Sequence, residues 1–426
     1  MTWRPTVAFM RAAVAAVVLI AIAVVWRRPD LLVLAAPMAV VTVWSLLTKP
    51  TGDLSIEEGL THPTIREGDA TRWRGTLSGN EHLDLVVASM GDAPWFDRRP
   101  ASGVAVSQAT NGRATVEVEV RSTRWGVRRL EPVWVTATTP FGAFRWSTTT
   151  ARHPLTTHPV PTVFDTDAWA RPSDGLIGLH RSARPGEGNE FAGIRSFRMG
   201  DRMRRINWVR SQRAGELQVN ATFADLDTHV ALVIDASDDF GVSEGFEGLS
   251  SSLDASVRAA GAIAEHYAPR GERVSLRTFG SERPHIVPPA TGRAQVRRIL
   301  DTLAGVRPSS EWRTGVPAHD PRGVVGQQLT VMLSPLIAPD ALDSAVSLGR
   351  HGVPVIVIDT LPDHITADED AYTALAWRIR LLERRQELRM VQAAGIPVVR
   401  WRGPGSLDQV IRDISRRAAG PRAVVR

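Results

Sequence analysis

Cysteine is absent from the 426 residues. That absence excludes a disulfide framework, a thiolate zinc site, an iron–sulfur cluster and a cysteine nucleophile. Lysine is nearly absent: Lys49 stands alone beside fifty arginines, which reads as compositional bias. No lysine-based phosphate loop or Schiff base can sit in the soluble part. Acidic residues number 45 against 51 basic ones, a formal net charge of +6. Hydrophobic residues at 43% supply enough apolar content for real cores, which excludes a wholly disordered chain. At roughly 100–200 residues per domain, the length allows two or three domains.

Several motifs are missing too. No strand leads into the spaced glycines of a dinucleotide fold. There is no Gly-x-Ser-x-Gly elbow, and the eleven histidines offer no paired base for a serine hydrolase. No helix-turn-helix, zinc finger or exposed aromatic ladder suggests nucleic acid as a partner.

What is there begins with two apolar runs, residues 12–26 (AAVAAVVLIAIAVVW) and 31–47 (LLVLAAPMAVVTVWSLL). Each approaches the roughly 20 residues that cross a bilayer once its flanks are added. Trp26 and Trp44 sit near run ends, where indoles favour the interface. Arg27-Arg28-Pro29-Asp30 makes a polar turn between them. The reading is a transmembrane hairpin over residues 1–50. The alternatives are a cleaved signal peptide, which a second apolar run argues against, and a buried helical pair. Arg4, Arg11, Lys49 and the amino terminus lie at the hairpin's ends, against Arg27 and Arg28 at its turn. The positive-inside rule thus leans toward a cytoplasmic soluble region.

Residues 51–160 read as a β module. His82–Met90, Ala114–Val120, Glu131–Thr138 and a short run from Phe144 are strand candidates, punctuated by Gly79-Asn80, Asn111-Gly112 and Pro140-Phe141-Gly142. Val116, Val118 and Val120 alternate with Glu117, Glu119 and Arg121, which predicts one buried and one wet face. A small sandwich or partial barrel is expected, with Asp92, Trp95, Phe96 and Asp97 in a loop and no catalytic constellation.

Residues 161–224 form an arginine-rich connector. Nine arginines and three acids lie between Arg181 and Arg213. That patch pairs internally or faces an acidic protein, anionic lipid or nucleic acid, the last being poorly supported. Gly193, Gly200 and Gly215 suit tight turns. Asp201 is expected to cap a short helix carrying Met203 and Ile206, with Trp208 packed inward. Arg195, Arg198 and Arg205 can make bidentate bonds, and a lipid contact would run through Arg198, Arg204 and Arg205.

Residues 225–426 alternate strands with helices. Strands are expected at 229–234, 273–279, 328–333, 353–358 and 397–401. Helices are expected at 253–267, 292–303, 340–349, 371–394 and 407–417. This predicts an α/β fold with a doubly wound, mostly parallel sheet. Sites in such folds lie beyond the carboxyl ends of strands. Asp235, Ser237 and Asp239 follow the first strand and can offer oxygens to Mg²⁺. The plainer reading is a turn and helix cap. Glu383, Arg384 and Arg385 read as the wet face of a helix, and His285 and His351 as loop residues.

Read together, Glu190-Phe191-x-Gly193-x-Arg195-x-Phe197-x-x-Gly200-Asp201-x-x-Arg204-x-Ile206-x-Trp208 resembles the bacterial domain of unknown function 58 family. The segments Arg128-Arg129-Leu130-Glu131-Pro132 and Thr139-Pro140-Phe141-Gly142-Ala143-Phe144 carry the likeness upstream. The resemblance implies a von Willebrand factor A-like domain at the C-terminus, an interaction module that often uses a metal-ion-dependent adhesion site. Asp235 and Ser237 match that site's Asp-x-Ser-x-Ser loop, but Asp239 replaces its second serine. No distal threonine is obvious near Thr314. Ser334-Pro335 stands where a later aspartate belongs, and proline offers neither a side-chain oxygen nor an N–H. Any Mg²⁺ site is therefore degenerate. The family also implies partners: a MoxR-type AAA ATPase and a transglutaminase-like membrane protein. The expectation is a non-enzymatic, membrane-anchored adaptor with its soluble region in the cytoplasm. The alternatives are a lipid-facing structural protein or, more remotely, a metal-dependent hydrolase.

Overall fold

A computed structural model describes residues 3–160, 185–199, 201–223, 229–280, 285–308, 328–351, 353–365 and 371–402. Gly200, Thr314 and the helix expected at 407–417 lie outside them. The chain divides into two units: Met1–Val160 with Gly245–Glu247, and Pro161–Glu244 with Gly248–Arg426.

The first unit opens with β1 (Arg4–Pro5), α1 (Val7–Trp26) and α2 (Asp30–Leu47). The Thr6 hydroxyl caps α1 by accepting from the Phe9 N–H, and Arg27 closes it in the left-handed conformation. Both helices are long and apolar enough to cross a membrane. Most of their valines and leucines are exposed, which is not how a buried core pair sits.

Eleven strands follow: β2 (Ser55–Leu60), β3 (Thr64–Arg66), β4 (Ala70–Ser78), β5 (Leu85–Met90), β6 (Phe96–Arg99), β7 (Val104–Gln108), β8 (Arg113–Ser122), β9 (Gly126–Arg129), β10 (Val133–Thr138), β11 (Phe144–Thr149) and β12 (Pro154–His158). They form sheets ordered β1-β11-β10-β5-β7, β2-β4-β8-β6 and β3-β12-β9. In β8, Ala114, Val116, Val118 and Val120 are buried, so the alternation read from the sequence sets the inward face. They share one core with Trp73 and Leu77 of β4, Val86 and Ala88 of β5, and Val133, Val135 and Ala137 of β10. The segment around Asp97 is strand β6 rather than loop. Phe96 is buried, and Arg98 pairs with Asp92.

The described part of the second unit opens with an unexpected hairpin. β13 (Pro185–Ser196) pairs antiparallel with β14 (Gln218–Phe223), and α3 (Trp208–Ala214) lies between them. The α/β part follows: β15 (His229–Asp235), α4 (Ser252–Tyr267), β16 (Arg273–Phe279), β17 (Ile286–Ala290), α5 (Gly292–Ala304), β18 (Gln328–Ser334), α6 (Pro339–Arg350), β19 (Val355–Asp359), α7 (Ala371–Ala393) and β20 (Val398–Arg400). The sheet order is β17-β16-β15-β18-β19-β20. Every pairing is parallel except β16 with β17. All of β18 and β19, and β15 from Val230 on, are buried, as strands covered on both faces must be. β17 was missed because Ile286-Val287-Pro288-Pro289-Ala290 carries two prolines, which suit only an edge strand.

Candidate functional site

Two places in the second unit gather the residues that the sequence singles out. The first is the carboxyl end of the parallel sheet. β15 is an apolar run that ends in Asp235, so its register delivers a carboxylate to the strand tip. Asp235 is only 3% exposed. Its Oδ1 accepts from the Ser237 N–H at 3.1 Å, and its Oδ2 accepts from the Ser334 hydroxyl at 2.6 Å. The Ser334 oxygen in turn accepts from the Leu336 N–H at 2.9 Å. Burial pushes the Asp235 carboxyl above the usual range; bonds from Ser334 and Ser237 oppose that, and Asp238 adds to it. The loop after Asp235 sits tightly against Gly280, where a Cβ would stand 1.9 Å from the Ser237 Oγ. Gly280 also has φ +66, so glycine is required there twice over.

Asp239 points elsewhere. Its Oδ1 accepts from the Leu253 N–H at 3.0 Å and lies 3.5 Å from the Ser252 hydroxyl, at the start of α4. That helix also has a capping box, Ser251 with Asp254. Asp235, Ser237 and Asp239 thus make a strand-end turn and a helix cap. Among the described residues, no group of three or more His, Asp or Glu side chains could hold a metal ion. The residues present fit a Mg²⁺ shell poorly. Both Asp235 carboxylate oxygens and the Asp239 Oδ1 accept from internal donors, and Pro335 brings only its carbonyl. The degenerate character read from the sequence is what the geometry has.

A guanidinium stands at this end of the sheet. Arg384 of α7 is 7% exposed; it donates to the Pro335 carbonyl at 3.0 Å and pairs with the buried Asp359 at the tip of β19. The Asp359 Oδ1 also accepts from the Leu361 N–H at 3.0 Å. One turn earlier, the Arg380 Nε donates to the Ile337 carbonyl at 2.9 Å and its Nη2 pairs with Glu387 at 2.9 Å. Arg384 is therefore not on a wet face, a correction to the sequence reading. The i to i+4 spacing of Arg380 and Arg384 puts both on the side of α7 that meets the loop after β18. Thr360 completes the network: its N–H donates to the Ser334 carbonyl and its Oγ1 lies 2.9 Å from the Ser256 hydroxyl. The signal for Asp359 was visible in outline, because Val-Ile-Val-Ile-Asp repeats the apolar-run-then-aspartate pattern of β15.

The second place is the connector motif. Asp201 does not cap a helix. Both its oxygens take the Arg195 guanidinium at 2.7 Å, and its Oδ2 also accepts from the Arg198 N–H at 2.7 Å. The Arg195 bond and then the Arg198 N–H hold the Asp201 carboxyl down to about 2. The cap of α3 is Asn207: its Oδ1 accepts from the Arg210 N–H at 3.1 Å and its amide donates to Asn220 at 3.0 Å. A single 3-10 turn, Met203–Arg205, precedes it and carries Arg204 and Arg205. That break resets the helical phase. Ile206 and Ser211 are buried, and Trp208 points outward with 67% of its surface exposed. The expected inward packing of Trp208 is thus corrected. Met199, Met203 and Val209 of the same segment are exposed as well, and so are Arg198, Arg204, Arg210 and Arg213.

Comparison with known proteins matches one family, described as "Protein of unknown function DUF58", over residues 193–369. Three mycobacterial relatives match, among them uncharacterized proteins of Mycobacterium bovis (Mb1516) and Mycobacterium tuberculosis (Rv1480). Each is 29% identical over 191 residues, covering 44% of this chain. The chain spans about half the length of these curated relatives, 52%. A solved structure of Pseudomonas fluorescens alkylpurine DNA glycosylase AlkC, bound to DNA containing an abasic site analog, aligns over 29% of this chain and 38% of its own. The identity is 13% and the TM-score is 0.14, so it carries no argument. The family match opens at Gly193, inside β13, and takes in the Arg195–Asp201 pair, Trp208 and the Asp235 cluster. Residues 193–369 are a domain of the DUF58 family.

Proposed function

We propose that the chain is a membrane-anchored protein-interaction module whose connector face docks a partner, in the first instance a MoxR-type AAA ATPase. The single observation that carries this is the outward Trp208, set on a frame that does not need it for packing. Arg195–Asp201 and the Asn207 cap order the backbone on either side of it. An exposed tryptophan in a segment rich in exposed arginines has the composition of a binding hot spot. The two exposed apolar helices support the anchor, and the charge balance of their ends supports a cytoplasmic soluble region. The strand order and antiparallel edge strand support the von Willebrand factor A-like reading. In this reading the Asp235 cluster shapes the sheet end and has no role in turnover.

The test uses the full chain in lipid nanodiscs and a purified MoxR-type AAA ATPase. Binding is measured for wild type, Trp208→Ala and Asp235→Ala. Binding that falls at least tenfold with Trp208→Ala supports the connector face. Equal binding by wild type and Trp208→Ala moves the contact off that face, and no binding by wild type removes the ATPase as partner.

A further inference from the structure

The Pro140-Phe141-Gly142 turn between β10 and β11 has no role in the site described above. Phe141 is 69% exposed although it is aromatic. Its backbone is left-handed, φ 59 and ψ 10, a conformation that bulky residues rarely adopt. The Gly142 N–H donates to the Thr139 carbonyl at 2.9 Å, which gives proline then a left-handed residue, a pattern that normally takes glycine or asparagine third. The residues around it over-determine that strain. The Thr139 hydroxyl accepts from the Phe144 N–H at 3.1 Å, and the Thr139 N–H donates to the Phe144 carbonyl at 3.1 Å.

The turn is also bonded to the start of α1. The Thr6 hydroxyl donates to the Gly142 carbonyl at 2.7 Å, and the Thr6 N–H donates to the Ala143 carbonyl at 2.9 Å. Phe9 and Phe144 pack ring to ring at 5.5 Å, with Ala143 buried beside them. α2 approaches the same turn. At about 1.5 Å per residue, α1 is about as long as a hydrocarbon core is thick, so its first turn lies at a bilayer surface if it spans one. The bonds to Thr6 then hold Phe141 at that same depth. Charge agrees with the placement. Arg4 and Arg145 face each other across the β1–β11 ladder, both exposed, and Lys49 follows α2. Like charges directly opposed in a sheet repel, and an anionic group between them relieves the repulsion.

We propose that the Pro140–Gly142 turn is a membrane-surface wedge: Phe141 inserts at headgroup depth, and Arg4 and Arg145 bind the phosphates of anionic phospholipids. This rests on the membrane-anchor reading above. The wedge fixes the β module against the bilayer, so the module does not swing on the helix ends.

The absence of cysteine makes every introduced cysteine a unique reporter. Single-cysteine chains Phe141→Cys, Val17→Cys within α1 and Val106→Cys on exposed β7 are labelled with a polarity-sensitive fluorophore. The full chains are reconstituted in vesicles of phosphatidylcholine with or without phosphatidylglycerol. Lipids brominated near the headgroup or near the tail end serve as quenchers. The proposal expects a blue shift at position 141, with quenching strongest from the shallow bromines and stronger with phosphatidylglycerol. Position 17 should be quenched from the tail end, and position 106 should stay aqueous. Deep quenching at 17 with an aqueous signal at 141 overturns the wedge and keeps the anchor. Aqueous signals at both positions overturn the anchor and the wedge together. Equal quenching at 141 in both vesicle types, or no change on Arg4→Gln with Arg145→Gln, overturns the anionic-phosphate assignment. A second measurement leaves the chain unaltered, so a folding failure of Phe141→Cys cannot mask the answer. Photoactivatable phosphatidylglycerol with a carbene precursor near its headgroup should label the wild-type peptide containing Phe141, and its absence from the labelled peptides overturns the proposal.

Discussion

Asp235 and Asp201 belong to the same unit and sit in opposite electrostatic settings. Asp235 is buried at a strand tip, takes its bonds from serines and a backbone N–H, and has its carboxyl pushed up by burial. Asp201 lies near the surface, takes a bidentate guanidinium, and is held down to about 2. The difference teaches what each region is built to do. The sheet end turns its polar groups on one another and on Arg384, so it is a closed structural network. The connector uses one ion pair to order its backbone and leaves Trp208 and several arginines facing out. A polar cluster rich in aspartate and serine is thus the less available of the two for a partner.

The largest test of that contrast is Arg384→Met. Removing the guanidinium leaves Asp359 buried without its cation, which should cost about 3–5 kcal/mol. Denaturant unfolding of the full chain in nanodiscs measures it. A loss within error would show that the network is not closed. Asp235→Ala comes next, at about 1–3 kcal/mol, because the Ser334 hydroxyl and Ser237 N–H lose their acceptor. Asp235→Asn keeps an acceptor and should cost less than the alanine variant. A larger cost for asparagine would show that the charge itself is required.

The pH dependence separates the regions by sign. A raised carboxyl such as Asp235 is a burden at neutral pH, relieved as pH falls through its folded value toward 3.8. Asp201 runs the other way: its contribution is present above 3.8 and is lost as pH falls to about 2. His266, lowered to about 4 by burial and then by Arg270, favours the fold above 6.5 and loses that contribution as pH falls toward 4. Between pH 6.5 and 4 the melting temperature of wild type should therefore drop relative to that of His266→Gln, a difference that isolates His266 from the opposite trend of Asp235. The Arg195–Asp201 pair should persist through that window, which the Asp201 carboxyl resonance in NMR would report. The smallest expected stability effect is Trp208→Ala, within about 0.5 kcal/mol, as for surface residues. A loss of several kcal/mol would return Trp208 to a packing role.

Much of the architecture was legible because strands covered on both faces must be apolar throughout. His229–Asp235 and Gln328–Ser334 announce themselves in that way, and Val116, Val118 and Val120 do so by alternation. The β13–β14 hairpin was hidden because glycines and a bulged register break its alternation. Trp208 was misplaced because the helical spacing of Met203 and Ile206 assumed one continuous phase through Trp208, and the 3-10 turn with the Asn207 cap interrupts it. Arg384 was misplaced because its surroundings, Glu383 and Arg385, look like any solvated helix face. Its partners, the Pro335 carbonyl and Asp359, are 49 and 25 residues away.

By itself the sequence determined the two apolar helices, the alternating β module, the parallel strands and the family motif. These depend on local pattern and composition, which a chain carries wherever it folds. Only the tertiary structure decided which polar groups are consumed and which are displayed. Asp235 is silenced by Ser334, a serine 99 residues away, and Asp201 by Arg195 across a turn. Phe141 is held outward by Thr6, 136 residues from the carbonyl it bonds. A hydrogen bond acts over about 3 Å, so its effect is set by contacts that sequence separation does not reveal.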